Sequence, residues 1–67
     1  MPSEVIRTVR YDADERRLEV EFVNGRRYAY HQVPLDLAEG LRAAFSKGAF
    51  FNRRIRDRYP YSRQPGA

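Results

Sequence analysis

Apolar and polar residues alternate without a fault through Leu18-Glu19-Val20-Glu21-Phe22. A period of two sends successive side chains to opposite faces, so this stretch predicts a half-buried β-strand. Upstream, Glu4 to Tyr11 predicts a first strand with Val5, Val9 and Tyr11 on one face and Arg7 interrupting it. Asp12 to Arg16 is the polar connection. Downstream, Asn24-Gly25 marks a tight turn, and Arg26 to His31 returns as a third strand. The register of this hairpin follows from its side chains. A two-residue turn would set Glu21 against Tyr28 and Glu19 against Tyr30, leaving both tyrosines on the charged face. A three-residue loop with Gly25 left-handed pairs Val20 with Tyr28, Leu18 with Tyr30 and Glu21 with Arg27, and is the expected arrangement.

The period then changes. Val33-Pro34 closes the sheet, with Pro34 suited to the first helical position because its missing N–H costs nothing there. Leu37, Leu41, Ala44 and Phe45 repeat at helical spacing, while Asp36, Glu39 and Arg42 face water. Gly40 inside this helix costs about 1 kcal/mol relative to alanine, which predicts a close packing contact. Ser46 breaks the stripe as an N-cap, its hydroxyl accepting from the next turn. A second helix runs from Gly48 to about Tyr59, with Phe51, Ile55 and Tyr59 on its apolar face. Arg53 and Arg56 share another face, and Arg54 and Arg58 a third. Pro60 stops the helix. The expected architecture is α+β: a three-stranded antiparallel β-meander with two C-terminal helices packed on one face, in the order β-β-β-α-α. Residues 4–61 make a single domain and 62–67 a disordered C-terminal tail.

Sixty-seven residues allow one small core. The absence of cysteine excludes disulfides and thiolate metal sites and fits a reducing cytoplasm. No stretch approaches the ~20 apolar residues of a membrane span, and the N-terminus lacks the regions of a signal peptide. No metal and no cofactor is expected. Charge changes the picture more. Residues 1–46 hold seven basic and eight acidic side chains, a net −1, whereas residues 47–67 hold six and one, a net +5. Such asymmetry points to a polyanionic partner; the bland alternative is a solvated arginine-rich helix.

Several segments together resemble the KTSC domain, named after the C-terminal region of some lysyl-tRNA synthetases and also found as stand-alone bacterial proteins. They are Tyr11-Asp12, Leu18-x-Val20-x-Phe22 followed by Gly25, the central Tyr28-Ala29-Tyr30, and Val33-Pro34. Ala44-x-Ser46-x-Gly48, Phe50-Phe51-Asn52, Ile55-Arg56 and Tyr59 continue the match, which spans about residues 4–61. Phe50 departs from the tyrosine frequent in the family, so a hydroxyl contact made there is missing. The attachment to a tRNA synthetase implies an RNA partner.

The residues give that implication a physical form. Ser46-Lys47-Gly48 opens a helix whose free N–H groups favour an anion, with Lys47 beside them. Arg53, Arg54, Arg56 and Arg58 extend the patch, each able to fork onto a phosphate. Asn52 can cap, bridge or bind. Base stacking would fall to Tyr28, Tyr30, Phe50 or Tyr61. Each has a packing alternative: Tyr28 and Tyr30 alternate beside Leu18 and Val20, Phe51 and Ile55 are core, and Arg56 could pair with Glu19 or Glu21. No enzyme emerges, because His31 has no positioned nucleophile and Gly25, Gly40 and Gly48 stand alone rather than forming a phosphate loop. The expectation is a cytoplasmic, monomeric, non-enzymatic binding module, with tRNA or single-stranded RNA as partner. A protein partner held at an open sheet edge is the competing class.

Overall fold

A computed structural model describes residues 6–65. The elements are β1 (Ile6–Asp12), β2 (Arg17–Phe22), β3 (Arg27–Tyr30), α1 (Leu35–Ala43), α2 (Lys47–Arg54) and β4 (Tyr61–Gln64). The strands form one antiparallel sheet in the order β1-β2-β3-β4.

The expected hairpin register is the observed one, with Leu18 against Tyr30, Val20 against Tyr28 and Glu21 against Arg27. Gly25 supplies the left-handed residue at φ 91°, and Asn24 Oδ1 accepts from the Arg26 N–H at 2.9 Å. Because the pleat alternates, this register sends Leu18, Val20, Phe22 and Tyr30 to the same face. That face is the floor of the core. Val33, Ala38, Leu41, Phe51 and Ile55 cover it, all within 2% of complete burial.

β1 meets β2 with a shift between Ile6 and Thr8. The extra residue at Arg7 reverses the parity of the strand, so Ile6 packs against the core together with Val9 and Tyr11. Strict alternation had assigned that position to Val5, which with Glu4 lies outside the described residues. The Arg7 interruption in the pattern was the bulge. At the other end of β1, the Tyr11 hydroxyl donates to the Val33 carbonyl at 2.6 Å, and the Val33 N–H donates to the Arg16 carbonyl at 3.0 Å. Val33 is thereby clamped on both sides as the chain leaves the sheet.

Four corrections follow from the helices and the C-terminal segment. Pro34 is the N-cap of α1 rather than its first residue. Ala44 turns extended, at φ −66° and ψ 140°, so the apolar stripe ends early and Phe45 is fully exposed rather than packed. The second helix stops at Arg54 and not near Tyr59, because the last turn widens: the Phe51 carbonyl accepts from Ile55 and also, five residues on, from Arg56, both at 2.9 Å. Asp57 then goes left-handed at φ 64°. Lastly, Tyr61–Gln64 form a fourth strand on β3, so residues 62–64, expected as tail, belong to the sheet. The order is β-β-β-α-α-β. β4 has no apolar alternation and is mostly exposed; backbone pairing with the free edge of β3 holds it, and a hydropathy pattern does not register that.

The close contact expected at Gly40 is present. A methyl group there would lie 2.8 Å from Cζ of Phe50, so the absent side chain lets the Phe50 ring of α2 rest on α1.

Candidate nucleic-acid interface

α2 begins as its sequence dictates, with Ser46 Oγ accepting from the Ala49 N–H at 3.3 Å. Its first turn contains no acidic residue and its last turn contains Arg53 and Arg54. Phe51 faces inward, leaving both arginines exposed. Arg54 lies over the Phe50 ring, 5.6 Å from its centroid, so the ring seated on Gly40 also steadies a guanidinium through a cation–π contact. Ser46, Phe50, Arg53 and Arg54 line a shallow cleft of about 290 Å³. Lys47 is half-buried in the first turn.

Arg56 and Arg58 do not continue the helix faces expected of them, since the helix has ended. Arg58 Nε donates to the Arg53 carbonyl at 3.1 Å, which brings Arg58 back beside Arg53. Arg56 Nη1 donates to Asn52 Oδ1 at 3.2 Å, so Asn52 acts as a bridge. Neither Glu19 nor Glu21 takes Arg56: Glu19 meets Arg17, and Glu21 meets Arg7 and Arg27. Among the described residues, ion pairs form only on the open face of the sheet. Arg54, Arg56 and Arg58 are held by ring, amide and carbonyl partners respectively, which orient a cation without neutralising it.

A second concavity of about 220 Å³ opens where the hairpin, the turn after α2 and β4 converge. Phe22, Tyr28 and Tyr61 form its aromatic wall, while Arg26, Arg56 and Asp57 supply the charge. Tyr61 stands opposite Tyr30 in the β3–β4 ladder. Its ring is 5.7 Å from Tyr28 at 74° and 5.4 Å from Tyr30 at 30°. Tyr61 is exposed, Tyr28 half-buried and Tyr30 buried, with the Tyr30 ring edge-on to Phe51 at 5.3 Å. Tyr30 is therefore core, and no base can reach its face. Burial pushes its phenol from the usual 10.0 up to about 12, with Tyr61 adding to the rise and Arg56 opposing it.

The fold thus brings Tyr28, Tyr30 and Arg56 to one groove and gathers Ser46, Arg53 and Arg54 at one cleft. Sequence reasoning missed Arg26 and Asp57. Asp57 carried a signal, being the one acid of residues 47–67. Arg26 carried none, because only the fold places the hairpin beside the turn after α2. His31 meets Ser62 Oγ at 3.1 Å, on the surface. Among the described residues no cluster of His, Cys, Asp and Glu is placed to hold a metal. No helix there is long and apolar enough to cross a membrane.

The KTSC domain family model matches residues 2–59. Lysine–tRNA ligases from Trichormus variabilis and a Nostoc species are each 38% identical over 56 residues, covering 84% of this chain. The chain spans only 10% of the length of those ligases. An uncharacterised protein of Stutzerimonas stutzeri is 38% identical over 53 residues, 79% of this chain and 75% of that protein. In three dimensions the chain resembles the crystal structure of a KTSC domain protein from Yersinia pestis. The TM-score is 0.88 at 31% identity, over 97% of this chain and 90% of that one.

Proposed function

The chain belongs to the KTSC domain family, and we propose that it is a small non-enzymatic, monomeric binding module whose partner is RNA. One observation carries this reading: Arg53, Arg54, Arg56 and Arg58 project from α2 and its following turn without a carboxylate partner among the described residues. An oriented, uncompensated guanidinium can take a phosphate in a bidentate grip. Lys47 adds a point charge near the capped start of α2. The relatives named lysine–tRNA ligases support RNA over other polyanions. A partner paired at a sheet edge fits less well. β4 is short and flanked by Pro60 and Pro65, and β1 carries a bulge at Arg7; both devices blunt an edge.

Fluorescence anisotropy with labelled single-stranded RNA, tRNA and duplex DNA tests the proposal. Contacts from four arginines and Lys47 predict a log–log salt slope of about −3.5 on single strands, a loss of about 100-fold between ~50 and ~200 mM salt. Preference for RNA with that slope supports the reading. No binding at low salt refutes it and directs attention to a protein partner.

A further inference from the structure

Asp57 is out of place on a surface built for phosphates. It is the single acid of the last 21 residues, and it lines the groove beside Arg26 and Arg56. A carboxylate in the path of a polyanion weakens binding by like-charge repulsion unless the ligand gives it hydrogen bonds. Its left-handed backbone, φ 64°, suits aspartate and asparagine alike, so turn geometry alone does not call for the charge. The wall beside it is aromatic, with Tyr28 half-buried and Tyr61 offering 57% of its surface.

We propose that this groove is a single-base subsite for RNA, in which the exposed Tyr61 ring stacks an unpaired guanine, Tyr28 braces Tyr61 edge-on, and Asp57 accepts from the Watson–Crick edge of the base. The inference rests on the RNA reading and deepens it. Guanine presents two adjacent donors, N1–H and the N2 amino group, matching the two oxygens of one carboxylate. Uracil offers a single N3–H between two carbonyls, whose oxygens would face the same negative charge. Adenine and cytosine each set one amino group beside a ring acceptor. Arg26 and Arg56 flank the subsite, where the flanking phosphates of a splayed strand pass. The volume of about 220 Å³ admits one base and not a duplex.

The test uses two labelled single strands, one of uridines only and one with a central guanosine pair, against the full chain and two exposed-site variants. Wild type should bind the guanosine strand about tenfold more tightly. Asp57→Asn should lose that preference while binding the uridine strand as tightly or more tightly, since a repulsive charge has gone. Tyr61→Leu should weaken the guanosine strand about tenfold and leave duplex binding unchanged. Circular dichroism melts confirm that both variants fold. Equal binding of the two strands by wild type overturns the subsite, and so does a guanosine preference that survives Asp57→Asn. Either result leaves the arginine patch of α2 standing. Failure of wild type to bind any strand removes both proposals together.

Discussion

On the open face of the sheet, Arg7 and Arg27 both approach Glu21 at 4.0 Å, and Arg17 reaches Glu19 at 2.7 Å. Around α2, Arg54, Arg56 and Arg58 find a ring, an amide and a carbonyl instead, and Arg53 meets no carboxylate among the described residues. The two surfaces contain the same kind of side chain. Exposed ion pairs contribute little to stability, so the difference concerns availability. On the sheet, cross-strand geometry sets cations and carboxylates opposite each other and consumes the charge locally. After α2 the nearby acid is Asp57, at the groove rather than at the helix face. A basic surface is therefore made by withholding carboxylates as much as by adding arginines.

The largest effects separate the core from both surfaces. Phe51→Ala removes a 2%-exposed ring that meets Phe22 and Tyr30 edge-on, and should cost about 3–5 kcal/mol in urea denaturation. In a domain this small that approaches the whole of its stability. Phe45→Ala removes a ring that is fully exposed and should shift the midpoint hardly at all. A comparable loss from the two variants would contradict the placement of the helices.

Those two phenylalanines also show what the sequence could and could not convey. Phe51, Ile55, Leu18 and Val20 sat in clean periodic patterns, so their burial was legible, as were the hairpin register and the Ser46 cap. Phe45 sat in a pattern too, yet one extended residue at Ala44 took it off the stripe; a helix end set by backbone geometry leaves no mark in hydropathy. β4 was invisible for a related reason. Its four residues are held by ladder hydrogen bonds to β3, which do not depend on side-chain hydropathy. The candidate interface was half legible: Arg53 and Arg54 stayed on the helix, while Arg56 and Arg58 reached their places through a turn that the 3.6-residue period cannot describe.

The charge comparison itself breaks or holds on two pairs of substitutions. Arg53→Gln with Arg54→Gln should reduce the salt slope on single-stranded RNA by about 1.4 and weaken binding at low salt by roughly tenfold. Arg7→Gln with Arg27→Gln removes as many positive charges from the sheet face and should leave the slope nearly unchanged. Equal losses from the two double variants, read by anisotropy, would mean that net charge and not the α2 surface governs binding. Melting temperatures should move little in either case.

Where the groove meets the core, Tyr30 gives a pH-dependent readout. Its folded phenol titrates near 12 and its unfolded one near 10.0. The folded state thus holds the proton that the unfolded state releases. The associated stability is intact below pH 10 and falls as pH rises toward 12. Urea midpoints taken at successive pH values should decline across that window, and Tyr30→Phe should flatten its share of the decline. A wild-type midpoint that holds steady there would show that the ring is not desolvated.

Gly40→Ala is the subtlest change and the most diagnostic of how α1 carries α2. Alanine in a helix interior is worth about 1 kcal/mol over glycine. The new methyl group, however, would lie 2.8 Å from Cζ and 3.2 Å from Cε2 of Phe50, so the ring must swing away. Phe50 is only half-buried, and the atoms in the way are the far end of a side chain rather than backbone. The ring can therefore yield, but it takes with it the surface that Arg54 lies over at 5.6 Å. The helix gain and the packing loss should nearly cancel, leaving a net change under ~1 kcal/mol. In a Phe50→Leu background the obstruction is shorter, and the same substitution should stabilise by close to the full ~1 kcal/mol. A double-mutant cycle in urea reads the coupling between the two positions directly. Strict additivity would mean that Gly40 is not there to seat the ring, and that α1 contributes nothing to the placement of Arg54.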